Sequence, residues 1–482
     1  MRPVNRLPPE IISYIARSAL QIGGGFDTTP IIPLTHVCKY WRNSIVSAPE
    51  NWTRISNCRR ELAELSLERT KAAPLNVFII FGYGEEFFDM LLPHAYKVVT
   101  LDCSHFTAIE ELTQALPNFP KSMPNLQSLS LTCHGGHDDQ SLIIDPFDFS
   151  THTTLRKLSW QNLPLFPSIL SLRTLTDLNL WGIGSGLHID TLLRFLERNQ
   201  SLARASFDIN FEEDSLCRSR RQIPIKSSLQ HLSISCDYEG NVKPLISNIA
   251  LRRGATLQLM DIGSGGLGRI LPGVSTTHLP GLSSPISMEY QLSPRRIQLL
   301  GLDGCFLYID LSDEGGPSMI PFGEEFLLLP LASVREIRIK CYGSWVPPQF
   351  HLSSFPSLEI LAVDGHDKGD CFDDEYIPSI TRFARQFGDS NVPSLFPVLP
   401  GPASSPSLKS LAFLDCALTD DFMAKLTRVA LDRRNRTSTS LRRVVIVNSK
   451  GRFPSASSIK RLRKYVPVVE VLEGEELPKD LS

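Results

Sequence analysis

The residues best suited to chemistry lie near the start of the chain. Residues 33–55 read PLTHVCKYWRNSIVSAPENWTRI, which places His36, Cys38, Trp41 and Trp52 within seventeen residues. A thiol beside an imidazole can form a nucleophile–base pair when the two are within hydrogen-bond reach and a third group orients the base. On a helix, however, residues i and i+2 do not face each other, and no carboxylate stands near His36 to orient it. The spacing therefore argues against catalysis, and Cys38 is expected to be a small core residue.

Three further stretches imitate sites and fail on spacing. CHGGHDD at 133–139 offers Cys133, His134, His137, Asp138 and Asp139, but no second pair elsewhere closes a tetrahedral zinc site. DGHDKGDCFDDEY at 364–376 lacks the residue order of a calcium loop. Gly263, Gly265 and Gly268 follow a strand-like TLQLMDI, with Glu289 about twenty residues on, as a dinucleotide fingerprint requires. Pro272 and Gly273 would stop the helix whose N-terminus must meet the phosphates. No metal, no cofactor and no enzymatic activity are expected.

Composition narrows the partners. In 482 residues, 49 Lys+Arg nearly balance 51 Asp+Glu, so no net field attracts nucleic acid. Apolar runs such as NVFIIFG at 76–82 are far shorter than the roughly 20 residues of a membrane span. MRPVNRLPPEII has no apolar core of signal-peptide length. The 10 cysteines include no C-x-x-C pair, so reduced thiols and a cytoplasmic and/or nuclear location are expected. The sequons at Asn51 and Asn435 then carry no meaning.

Elements must position the opening cluster. LPPEIISYIARSAL starts with prolines that a helix accepts in its first turn, and Ile11, Ile12, Ile15 and Ala19 recur at helical spacing. Gly23–Gly25 and Pro30 break that helix. Leu34, Val37, Cys38, Trp41 and Ile45 then form one predicted apolar stripe. SAPENW supplies a stop, a proline restart and a buried anchor at Trp52. The result is a three-helix unit of about fifty residues, near the lower limit for standing alone.

This pattern resembles the F-box. LPPEII, then PLTHVCKYWRNSIVSAPENW, then LSLERTKAAPLNVFI are most similar to the expanded F-box families of mushroom-type fungi. The match covers residues 5–82, and QIGGGFDTTP at 21–30 is a long link. The resemblance implies docking on a Skp-type adaptor and, through it, a cullin–RING ubiquitin ligase. The family's contact surface carries over to Leu7, Pro8, Pro9, Ile11, Ile12, Ile15, Leu34, Val37, Trp41 and Trp52.

Beyond residue 90 an apolar L-x-x-L-x-L triplet recurs thirteen times, from Tyr96/Val99/Leu101 to Val466/Val469/Val471, with Leu257/Met260/Ile262 and Ile297/Leu300/Leu302 among them. The triplet alone is common by chance at this composition. Its preceding residue is not: Asn125, Thr154, Thr174, Ser201, Ser228, Thr256, Ser333, Ser357, Ser407 and Ser440 are small and polar, suiting a tight turn into a strand. Helices are predicted in DTLLRFLERN with Asp190 as N-cap, in IPSITRFARQF, and in TDDFMAKLTRVAL. The remainder thus resembles an irregular leucine-rich repeat.

The expected architecture is α/β. It has a three-helix F-box at 1–58, a helical linker and first strand at 59–90, and a leucine-rich-repeat solenoid with a parallel concave sheet at 91–475. Gly/Pro/Ser-rich loop insertions interrupt it near 263–295 and 388–407. Two basic stretches, 428–443 and 460–465, read as solvated faces, with an acidic partner segment as the alternative. Function is read as a non-catalytic substrate-recognition subunit of an SCF-type ligase binding an unknown protein target. The rival reading is an adaptor-binding interaction protein outside any ligase.

Overall fold

The computed structural model describes residues 7–22, 28–80, 84–106, 123–134, 149, 152–163, 168–183, 188–209, 225–226, 228–235, 243–252, 254–262, 285–292, 295–301, 306–311, 329, 331–340, 355–364, 407–414, 418, 420–436, 440–448 and 453–473. The chain divides into two compact units, Met1–Ser215 and Leu216–Ser482. Each is mixed α/β with a mostly parallel strand ladder.

The first unit begins with helices α1 (Pro9–Ile22), α2 (Ile32–Thr35) and α3 (Lys39–Ser47), then a 3-10 turn at Pro49–Trp52. Strand β1 (Arg54–Ser56), helix α4 (Arg60–Thr70), strand β2 (Leu75–Phe78) and helix α5 (Gly84–Leu91) follow. Strands β3 (Val98–Phe106), β4 (Ser128–Cys133), β5 (Lys157–Gln161), β6 (Asp177–Ile183) and β7 (Arg204–Ile209) complete it, with the helix Ile189–Arg198 before β7. Each of these strands pairs in parallel with the next.

Register explains why this ladder is stable. Leu129, Leu158, Leu178 and Ala205 lie side by side, as do Leu131, Trp160, Leu180 and Phe207, and all are buried. Each leucine and phenylalanine among them contributes roughly 1.5–3 kcal/mol. The alternate residues Ser130, Ser159, Asn179 and Ser206 are half-buried on the other face, as strand periodicity requires.

The small polar residue before each triplet now has a physical role. The Thr154 hydroxyl lies 2.8 Å from the carbonyl oxygens of both Pro124 and Leu126. Thr174 donates to Leu155 O at 2.7 Å, Ser201 to Leu175 O at 2.9 Å, and the Asn125 amide to Tyr96 O at 2.6 Å. These side chains satisfy carbonyls of the preceding turn of chain, so they join successive strands rather than only shaping a local turn.

Two expectations shift here. The first triplet is displaced: Val98 and Leu101 are buried while Tyr96 is exposed, because the β2–β3 register slips between Leu75 and Asn76. The helix expected from Asp190 starts at Ile189, with His188 at the N-cap position and making no side-chain capping bond. Asp190 sits in its first turn, where an acidic side chain favours the helix dipole.

In the second unit, a short parallel pair forms between β8 (Ile225–Lys226) and β10 (Ile249–Ala250). The main ladder comprises β9 (His231–Ser235), β11 (Thr256–Ile262), β12 (Pro285–Leu292), β13 (Arg295–Gly301), β14 (Phe306–Leu311), β15 (Glu336–Lys340), β16 (Ile360–Asp364), β17 (Ser410–Leu414), β18 (Arg443–Asn448) and β19 (Val468–Glu473). Spatially it runs β9, β11, β14, β13, β12, β15 and then in order to β19. Every pairing is parallel except β12–β13 and β13–β14.

This three-strand insertion overturns the triplet at 297/300/302. Leu299, not Leu300, is buried beside Ile297, and Leu300 is exposed. Pro285–Leu292, expected within the loop insertion, is a strand. The triplet at 257/260/262 also shifts, since Leu257 and Leu259 pair with Leu232 and Ile234. Gly254, with φ of 75°, takes the position of the first leucine. The expected helix at 420 is present as Asp420–Arg436, with Met423, Leu426, Val429 and Ala430 buried. Strands β16 to β18 are buried on both faces, with Ala362, Ala412, Leu414, Val445 and Val447 forming a second apolar layer.

Candidate functional site

The three N-terminal helices build one small core. Ile12, Ala16, Leu20, Ile31, Trp41, Ile45 and Trp52 are its buried members, and Leu62 and Leu65 of α4 pack against it. Of the expected Ile11, Ile12, Ile15 and Ala19, helix α1 buries Ile12 with Ala16 and Leu20, and Ile15 packs half-buried on that core. That choice leaves Ile11 outside.

The predicted single stripe from Leu34 to Ile45 is instead broken. Residues 36–38 separate α2 from α3, and Cys38, extended at φ −164° and ψ 170°, is the N-cap of α3. Its sulfur accepts the Trp41 backbone N–H at 3.5 Å. His36 is exposed and Cys38 half-buried. The cysteine therefore serves a helix end.

Polar groups lock the far end of this unit. Ile45 O accepts both the Asn51 side-chain amide and the Trp52 indole N–H, each at 3.2 Å. Asn51 also donates to Ser13 Oγ at 3.3 Å. Asn51 is fully buried, so in the folded chain its sequon is closed to a glycan.

Of the ten residues carried over by resemblance, Ile12 and Trp52 are 0% exposed and Trp41 is 8% exposed. They support the unit from inside. Leu7, Ile15 and Leu34 are half-buried and pack on the core. Pro8 and Pro9 are exposed, and Ile11 and Val37 are 45% and 51% exposed.

Two residues extend this set. Tyr14 is 62% exposed one helical turn beyond Ile11, and its i, i+3 spacing from Ile11 was the available signal. Tyr40 donates its hydroxyl to Leu7 O at 2.9 Å. That bond ties the start of α3 to the chain entering α1. Single exposed apolar side chains are ordinary, but a grouped set on a finished core marks an interaction surface. Arg17, Lys39 and Arg42 are exposed around it, against Glu10.

Elsewhere the candidates thin out. Residues 135–139 of the histidine loop, the 263–268 glycines, most of the acidic 364–376 stretch, the predicted helix at 377–387 and the 388–406 insertion lie outside the described residues. Cys103 and Cys133 are buried, and burial, helped by the neighbouring Asp102 charge, pushes the Cys103 thiol pKa well up. A thiol held protonated is a poor nucleophile. Among the described residues no cluster of His, Cys, Asp and Glu is placed to hold a metal, and no helix is long and apolar enough to cross a membrane.

No family model matches the chain, and no curated protein matches it. The N-terminal surface presents exposed Ile11, Tyr14 and Val37.

Proposed function

We propose that the chain is an F-box protein whose N-terminal helices dock on a Skp-type adaptor, making it a non-catalytic specificity subunit of an SCF-type cullin–RING ubiquitin ligase. The strand ladders are irregular leucine-rich repeats that hold a protein target. One observation carries the reading: Ile11, Tyr14 and Val37 stay exposed although the core beneath them is complete without them. A second polypeptide covering them would gain roughly 1.5–3 kcal/mol per buried side chain.

The test is co-purification of the adaptor with the wild-type chain and with Ile11→Asp plus Val37→Asp. Both residues are exposed, so the fold survives the change. Recovery is expected to fall at least roughly a hundredfold, the lower limit for losing two such side chains. Undiminished recovery refutes the docking.

A second reading is favoured by the second apolar layer on β16 to β18, which removes that face from use by a target. Here the chain binds the adaptor but works outside any ligase. Cullin in the same pull-down separates the two.

A further inference from the structure

The two basic stretches of the sequence converge in the second unit. The helix Asp420–Arg436 packs on the helix Ala456–Leu462, with Asp420 Oδ1 accepting the hydroxyls of Ser455 at 2.6 Å and Ser458 at 2.7 Å. At the opposite end Arg434 donates to Lys464 O at 3.0 Å. Arg463 donates to Val469 O at 3.2 Å, and Arg442 O accepts the Val468 N–H at 3.1 Å. Arg434, Arg442, Lys460, Arg461, Arg463 and Lys464 are all exposed.

Arg434 and Arg463 bond backbone carbonyls, but none of these six cations is matched to a carboxylate by a close ion pair among the described residues. Lys409 and Arg443 in the same unit reach carboxylates, Glu359 at 2.9 Å and Glu470 at 3.0 Å. Arg433, from the same run, turns inward and donates to Leu408 O at 3.2 Å, so a buried role was open to this sequence and was not taken by its neighbours. Cations near helix C-termini are favourable against the dipole, yet like charges gathered together repel. Asp420 lies within electrostatic reach of Arg461 alone among the six, and a cluster so little compensated among the described residues suits an anionic partner.

We propose that this C-terminal helix pair is a docking surface for an acidic polypeptide segment. Three features select polypeptide over nucleic acid. The chain has a net charge of −2, so it does not draw in a long polyanion from a distance. Five of the cations sit at or just past two helix ends and Arg442 at the entry to β18, instead of tracking along a groove lined with aromatic rings, as single-strand binders need. Val468, 43% exposed beside Arg443 in the ladder, offers a seat for one apolar side chain within the acidic segment. The inference stands independently of adaptor docking.

The experiment uses the full chain and a fluorescein-labelled oligoglutamate peptide with one central leucine, read by anisotropy at several salt concentrations. Saturable binding that weakens as salt rises is expected. Lys460→Glu plus Lys464→Glu should weaken it by roughly tenfold or more. Both lysine side chains are exposed and make no side-chain hydrogen bond or ion pair among the described residues, so the melting temperature should stay at the wild-type value, which melting curves check. Should the reversal melt early, Lys460→Gln plus Lys464→Gln takes its place, with a loss of about threefold. Arg156→Glu plus Lys157→Glu, on the exposed start of β5, should change nothing. Absence of saturable binding overturns the proposal. So does an equal loss in the β5 control, or tighter binding of a single-stranded oligodeoxynucleotide of matched charge.

Discussion

The Arg69 guanidinium stacks over the Trp52 ring, 4.3 Å from its centroid. Helix α4 thereby clamps the N-terminal helices. Thr28 and Ser66 share a buried hydrogen bond at 3.0 Å, and Arg54 donates to Leu20 O at 2.6 Å. The small unit completes its core against the first strand and helix that follow. Trp52→Ala is expected to cost about 3–5 kcal/mol, read by thermal or denaturant unfolding, and a fragment ending at residue 58 should give no cooperative melt.

Trp41 illustrates how a docking test can mislead. Being 8% exposed, it is a core residue, and Trp41→Ala should lower stability by about 3–5 kcal/mol. Loss of a partner would then report unfolding. Val37→Asp should leave the melting temperature within a few degrees while lowering adaptor capture roughly tenfold or more. Equal melting losses in both variants would contradict this division.

The hydroxyls that join successive strands can be removed one at a time. Thr154→Val and Thr174→Val keep shape and delete the donor, so each should cost roughly 0.5–1.5 kcal/mol in chemical unfolding. A neutral result at both sites would mean that the hydroxyls only fill space.

Gly182 lies in the left-handed region at φ 60°, and an added Cβ there would meet Asn162 Oδ1. Asn162 is itself held, its amide donating to Cys133 O at 2.9 Å. Gly182→Ala should therefore cost about 1–2 kcal/mol from backbone strain alone, and the crowding adds to it. A melting temperature equal to wild type would show that the turn relaxes.

The Asp420 latch has a defined pH signature. Hydrogen bonds from Ser455 and then Ser458 hold its carboxyl below the usual carboxylate range. Its folded value is thus lower than its unfolded value, so its contribution is full above the ordinary aspartate range and fades as pH falls through the depressed folded value. Proteolysis between the two C-terminal helices should accelerate under acid in the wild type. In Ser455→Ala plus Ser458→Ala it should already be faster at neutral pH.

What the sequence revealed follows from how strongly each residue is constrained. Triplets such as Leu126/Leu129/Leu131 are buried as expected because one face of each strand must leave water. The polar residue ahead of them was visible, but its bond to the preceding turn was not, since the acceptor carbonyl lies 19 residues away for Thr174 and 26 for Ser201. In α1 apolar residues point two ways, and periodicity alone could not say whether Ile11 or Ile12 faces inward. The three-strand insertion was hidden because apolar residues there recur at the same period whether a strand runs up or down.

That insertion obeys a parity rule. Passing from β11 through β14, β13 and β12 to β15 reverses direction twice, so the strands on either side still agree in polarity. Excision of all three would leave the flanks correctly oriented, whereas loss of a single one would turn every later strand end for end. Natural length variation at this point should come in pairs of strands or as the complete cassette, a signature that genomes of related organisms would record.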